Sequence, residues 1–213
     1  LRRVLRSIYY IDKDEMKGRE IDLVAYDFYN TRDKNEFMEY TWYLTIEIKK
    51  AASKPWVFFT SQDSTRSYPY NFVFNDSAKN KKYGLRGILF KNEGLHKYLG
   101  RSFYEGFTNN GGRGDIYKAL SGAVKAMCHF RDSSNASGDK STDLVIESYE
   151  PLVVVEGDLF SAKLNENQEI EIEETNYVQV SFNYLSPNYQ IENEYTLHNQ
   201  FLVHVVKSDY LEE

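Results

Sequence analysis

A single cysteine, Cys128, stands among 213 residues, so no internal disulfide can brace the fold. One thiol in a chain of this size suits a reducing compartment and predicts a cytoplasmic setting. On that footing the sequons at Asn75 and Asn135 are incidental. No apolar run approaches the roughly 20 residues that a membrane-spanning helix needs, and the first residues show no signal-peptide core. There is no initiator Met; Leu1-Arg2-Arg3-Val4-Leu5 reads as the tail of a helix in a chain trimmed at its start. Internal repeats and heptads are absent. His96, His129, His198 and His204 are scattered without metal-ligand spacing, and read as surface or satisfied core positions.

What is present is a globular composition, 41% hydrophobic and 27% charged, which excludes a disordered chain. The length suits one domain over 1–213, with residues 62–114 as an insertion or cap and 161–213 as a C-terminal strand extension. Net charge is −6, but it is unevenly spread: residues 49–101 carry a net +8 and residues 132–213 a net −14. The basic block is either a track for a phosphate backbone or the counterweight of the acidic block.

Alternation predicts strands at 7–12 and 19–29, joined by a polar turn in which Gly18 takes positive φ. Residues 30–39 read as a polar connection. In the strand over 42–49, Leu44, Ile46 and Ile48 share one face, and Thr45, Glu47 and Lys49 the other. A strand from Pro55 to Ser61 follows. Short candidates lie at 71–74 and 87–90, within a Tyr- and Lys-bearing region (Tyr68, Tyr70, Phe72, Lys82, Tyr83, Arg86) suited to packing or to base stacking. The Gly-rich link 109–114 reads as a hinge before a helix over 116–130, with Asp115 as its N-cap and Cys128 beside its apolar stripe. Further strands are expected at 143–148, 152–156, 169–180 and 200–206.

Asp22 and Glu47 lie opposite the apolar sets of their strands. As neighbours, those strands would gather two carboxylates beside the Lys49 ammonium. Glu15-Met16-Lys17 repeats the Glu-x-Lys spacing but falls in a polar turn without flanking strands.

Glu20-Ile21-Asp22 on one strand and Glu47-Ile48-Lys49 on the next, with Lys50 and Lys54-Pro55-Trp56-Val57 just after, resemble the PD-(D/E)xK nuclease superfamily. So does the later run from Pro151 to Phe160. The resemblance implies an α/β restriction-endonuclease-like core, a mixed central sheet flanked by helices, with a loop-rich insertion. It also implies Mg²⁺-dependent hydrolysis of phosphodiester bonds in DNA, with Mn²⁺ able to substitute. Asp22, Glu47 and the Ile48 carbonyl would hold the ion, and Lys49 would orient the attacking water. Glu20, Lys50 and Lys118 are possible helpers. A homodimer is compatible with the acidic C-terminal block. The alternative is a module of the same kind that binds nucleic acid or a protein without cutting.

Overall fold

The computed structural model describes residues 3–33, 36–51, 54–62, 72–74, 98–107, 114–134, 144–189, 191–193 and 196–212. The chain begins as a meander of three long antiparallel strands, β1 (Arg3–Asp12), β2 (Lys17–Asp33) and β3 (Glu36–Lys50). β4 (Trp56–Gln62), β5 (Phe72–Phe74) and β6 (Tyr98–Glu105) precede one helix, α1 (Gly114–Asp132). Then come β7 (Leu144–Glu156), β8 (Leu159–Leu164), β9 (Ile170–Glu174), β10 (Tyr177–Asn183), β11 (Ile191–Asn193), β12 (Thr196–His198) and β13 (Gln200–Lys207), and a 3-10 turn at Ser208–Glu212.

Ten strands form one mixed sheet in the order β1-β2-β3-β7-β13-β10-β6-β4-β8-β9, and β5 pairs with β7 beside that path. This corrects the expectation of an α/β restriction-endonuclease-like core flanked by helices. Among the described residues the protein is one large sheet with a single α-helix, beside a small β11–β12 hairpin. The excess of strand is visible in the side chains, since the Val, Ile, Tyr and Phe that fill it suit a pleated, half-buried surface.

α1 covers one face. Ile116, Ala119, Leu120, Ala123, Val124 and Met127 are buried against Val153, Val155, Val178, Val180, Val203 and Val205. Leu44, Ile46, Leu152, Val154 and Val206 form a second cluster with Ala25. β7 supplies both clusters from alternate residues, as a strand buried on two faces must.

Several local expectations change. Residues 3–5 belong to β1 rather than to a helix tail. The positive φ of the β1–β2 turn falls on Met16 (φ 51°), while Gly18 is already paired with Ile11 in the ladder. Residues 30–39 are largely strand, because the β2–β3 ladder runs out to Asp33 and Glu36. The segments 143–148 and 152–156 are one strand that passes through Pro151. Asp115 is not the helix cap; the Glu105 carboxylate on β6 accepts hydrogen bonds from the Asp115 and Ile116 N–H groups, at 2.7 and 3.4 Å. The expected strand at 87–90 and the hinge at 109–113 lie outside the described residues.

The far half of the sheet curls. β9 and β10 stand four strand spacings apart in the sheet order, about 19 Å if flat. Only Thr175 and Asn176 join them, a reach of about 11 Å from Glu174 to Tyr177.

Candidate functional site

β2 and β3 pair from Asp33↔Glu36 down to Leu23↔Ile46, and there their ladder stops. Both strands run on. β2 continues against β1 as far as Lys17, and β3 against β7 as far as Lys50. The next position would set Asp22 opposite Glu47, at the mouth of a fork. Asp22 Oδ2 there accepts the Ile48 N–H at 2.7 Å, taking the place of a backbone carbonyl. An extended residue presents its N–H and C=O on the same edge, so the Ile48 carbonyl also faces the fork.

Glu47 and Lys49 point to the α1 side. That face is not a solvent face, as the alternation alone suggested: Thr45 is fully buried and its hydroxyl donates to the Ala123 carbonyl of α1 at 3.2 Å. Glu47 rests against Gly122, where a Cβ would stand 3.6 Å from its carboxylate. Any longer side chain at 122 would compete for that space. Lys49 Nζ lies 2.6 Å from Glu47 Oε1, with side-chain exposures of 33% and 14%. Burial raises the proton affinity of Glu47 and outweighs the hydrogen bond and charge of Lys49, while the charge of Asp22 adds to the rise.

The fork thus gathers Asp22, Glu47, Ile48 and Lys49. The three helpers do not join them. Lys50 is exposed and lies 3.3 Å from Glu156; Glu20 is exposed and pairs with Tyr9 across the β1–β2 ladder. Lys118 is exposed on α1, 3.9 Å from Asp115. In the turn, Glu15 of the competing Glu-x-Lys takes Arg19 at 2.7 Å. Among the described residues no group of three or more His, Cys, Asp or Glu converges. The donor set at the fork is nonetheless all hard oxygen, two carboxylates and a carbonyl, which suits Mg²⁺, an ion that keeps most of its waters.

Sequence reasoning missed a second polar cluster under the same helix. Asp12, almost wholly buried, accepts from Lys125 Nζ at 2.6 Å and from the Tyr189 hydroxyl at 3.2 Å, with Arg19 Nε 3.6 Å away. Asp14 accepts from the hydroxyls of Tyr184 and Ser186, at 2.5 Å each, and from Asn188 Nδ2 at 3.0 Å. Burial pushes both carboxyls up, but these hydrogen bonds, with the charge of Lys125, win and hold both below the usual range. Lys125 also sits over the rings of Tyr184 and Tyr189. Seven residues of spacing between Lys118 and Lys125 marked a polar helix face, but no local signal joins Lys125 to a residue 113 positions earlier.

Tyr10 lies between the two clusters. Burial, then the charges of Asp12 and Glu47, push its hydroxyl up to about 12. Cys128 is fully buried and its thiol is pushed by burial to about 12, which leaves it inert at neutral pH. His129 packs on Tyr10 and Phe130, and His204 Nδ1 bonds the Tyr177 hydroxyl at 2.6 Å. His96 and the Tyr- and Lys-bearing stretch 75–97 lie outside the described residues. No helix among the described residues is long and apolar enough to cross a membrane. No family model, curated protein or solved structure matches this chain.

Proposed function

We propose that the β2–β3 fork is the reaction centre of a metal-dependent nuclease that hydrolyses phosphodiester bonds, in DNA, and that the chain is kin to the PD-(D/E)xK superfamily. The observation that carries this reading is the Asp22 carboxylate bound to the Ile48 N–H where the ladder ends, next to the Glu47–Lys49 pair. There a side chain takes the place of a backbone carbonyl, and the Glu47 carboxylate lies near enough to feel the charge of Asp22.

Asp22, Glu47 and the Ile48 carbonyl would hold Mg²⁺, or Mn²⁺ in its place. When bound, the ion supplies Lewis-acid stabilisation of the charge that develops on the phosphate oxygens. Asp22 is oriented for its part by the Ile48 N–H, and Glu47 by Gly122, which leaves its carboxylate room. Glu47, raised in proton affinity by burial, gains from a nearby cation that favours its charged form. Lys49, one-third exposed, is placed to donate to the attacking water and to the oxygen that becomes negative. The lone cysteine supports a reducing, cytoplasmic setting for this work.

Purified protein is expected to nick or cut plasmid DNA with Mg²⁺ or Mn²⁺, and Lys49→Ala to lose about 10²–10⁴ of the rate. Asp22→Ala should weaken Mn²⁺ binding at least about tenfold. Equal inertness of wild type and Lys49→Ala on every DNA and RNA form would end the enzyme reading. The other reading, a binding module that does not cut, is favoured by one feature: Glu47 already has Lys49 at 2.6 Å. Mn²⁺ binding unaffected by Asp22→Ala would remove the fork as a metal site altogether.

A further inference from the structure

The sheet ends in β1 on one side and β9 on the other, and among the described residues neither outer edge has a partner. Such edges offer rows of unpaired N–H and C=O groups to any strand that arrives. Both edges also carry apolar side chains in the open. Val4, Leu5, Tyr9 and Ile11 are exposed along β1, and Ile170 and Ile172 along β9, next to Leu164 on β8. Tyr9 is 71% exposed and Ile172 60%, values far from those of a strand face that packs on its own domain.

The charges at the two edges differ in sign. β1 holds Arg3 and Arg6, both exposed. β9 and its approach hold Glu169, Glu171, Glu173 and Glu174, all exposed. Lys163 reaches Glu171 and Glu173, at 3.8 and 3.1 Å, and Lys207 reaches Glu174 at 2.7 Å, so the acidic edge is reduced but not cancelled. Two β1 edges laid together would crowd arginines, and two β9 edges would crowd glutamates. A β9 laid on a β1 brings opposite charges and apolar residues together. Like-charge repulsion thus rejects the symmetric pairings and leaves the asymmetric one.

We propose that a second copy of this chain adds its β9 to the outer edge of β1, extending the sheet from one molecule to the next. The two surfaces are different, so the contact is head-to-tail and each added copy presents a fresh edge, giving a ring or an open string rather than a closed dimer. β9 is only five residues long, so the association is a weak, concentration-dependent one. This inference stands apart from the nuclease reading and needs none of its residues.

Sedimentation velocity on the 213-residue chain tests it. The mass average is expected to climb with protein concentration and to fall as salt screens the edge charges. Arg6→Glu spoils β1 and leaves β9 intact; Ile172→Arg spoils β9 and leaves β1 intact. Each variant alone should stay a single copy, and an equimolar mixture should give a two-copy species and nothing larger. Tyr9→Glu and Ile170→Lys, also at exposed positions, repeat the scheme should either first variant unfold in a thermal melt. A wild type that remains a single copy at all concentrations overturns the proposal. So does either variant that self-associates as well as wild type, because that would make the contact symmetric.

Discussion

Lys125–Asp12 and Lys49–Glu47 are both lysine–carboxylate contacts of 2.6 Å, and both carboxylates lie against α1. They differ in everything around them. Asp12 and Lys125 are 1% and 12% exposed, and Asp12 has further hydrogen bonds from Tyr189 and the Asp14 N–H. Its proton affinity falls, so the pair is a settled ion pair that ties the β1–β2 turn to the helix and, through Asp14 and Lys13, to the 184–189 loop. Among the described residues Glu47 has one hydrogen-bond partner, Lys49, and its proton affinity rises. A charged side chain held with too few partners is poorly placed for stability and well placed for a ligand. The distance says nothing of this; the remaining partners do.

The widest gap between the two pairs should appear on removing the lysine. Lys125→Met leaves Asp12 buried without its main partner and is expected to cost about 3–5 kcal/mol in urea unfolding. Lys49→Met, at a partly exposed pair, is expected to cost less than about 1 kcal/mol. Equal losses would erase the distinction.

Acid separates the carboxylates by sign. Asp12 has a lowered pKa in the folded state, so its contribution is present above the ordinary carboxylate range and is lost as pH falls through the lowered value. Asp12→Asn should therefore lower the unfolding free energy measured in urea at neutral pH by about 1.5–3 kcal/mol, and match wild type once acid has protonated Asp12. Glu47 has a raised pKa, so its contribution is complete below the unfolded value and is lost as pH rises through the folded one. Glu47→Gln should make the protein more stable than wild type at neutral pH, with the gain vanishing in acid, and should remove Mn²⁺ binding. A Glu47→Gln protein less stable than wild type at neutral pH would contradict the contrast.

The smallest expected effect is at Gly122. A Cβ there meets Glu47 at ordinary contact distance, so Gly122→Ala should add roughly 0.5–1 kcal/mol through helix propensity and leave metal affinity unchanged. Gly122→Leu should displace Glu47 and weaken that affinity, as a Mn²⁺ titration of both variants would record.

The grouping of Asp22, Glu47 and Lys49 was more legible in the sequence than the fold around it. Alternation in 19–29 and 42–49 is local, and it put Asp22, Glu47 and Lys49 opposite their strands' apolar sets. It could not tell that the same face lies under α1, because Thr45 reads as polar and is buried by a partner 78 positions later. The helix over 116–130 was legible from its spacing of apolar residues, though its cap was not: Glu105 sits on a different strand, beyond any local pattern. Flanking helices were expected from the family resemblance and not from periodicity, and that part of the reading failed. The Asp12–Lys125 tie was invisible for the same reason as the Glu105 cap.

The parallel pairing of β3 with β7 also sets an order of assembly. Met38 meets Leu144 across 106 positions (38 to 144), whereas β1, β2 and β3 are joined by turns of a few residues. Closing a loop of that length is entropically expensive and slow compared with zipping a hairpin. Past Ile46, β3 has left the β2 ladder and its backbone ladder runs on with β7, with Glu47 beside Val153. The nascent meander therefore carries Asp22 and Glu47 long before it can hold them at the fork, and the chain acquires its charged centre only when its middle strand docks.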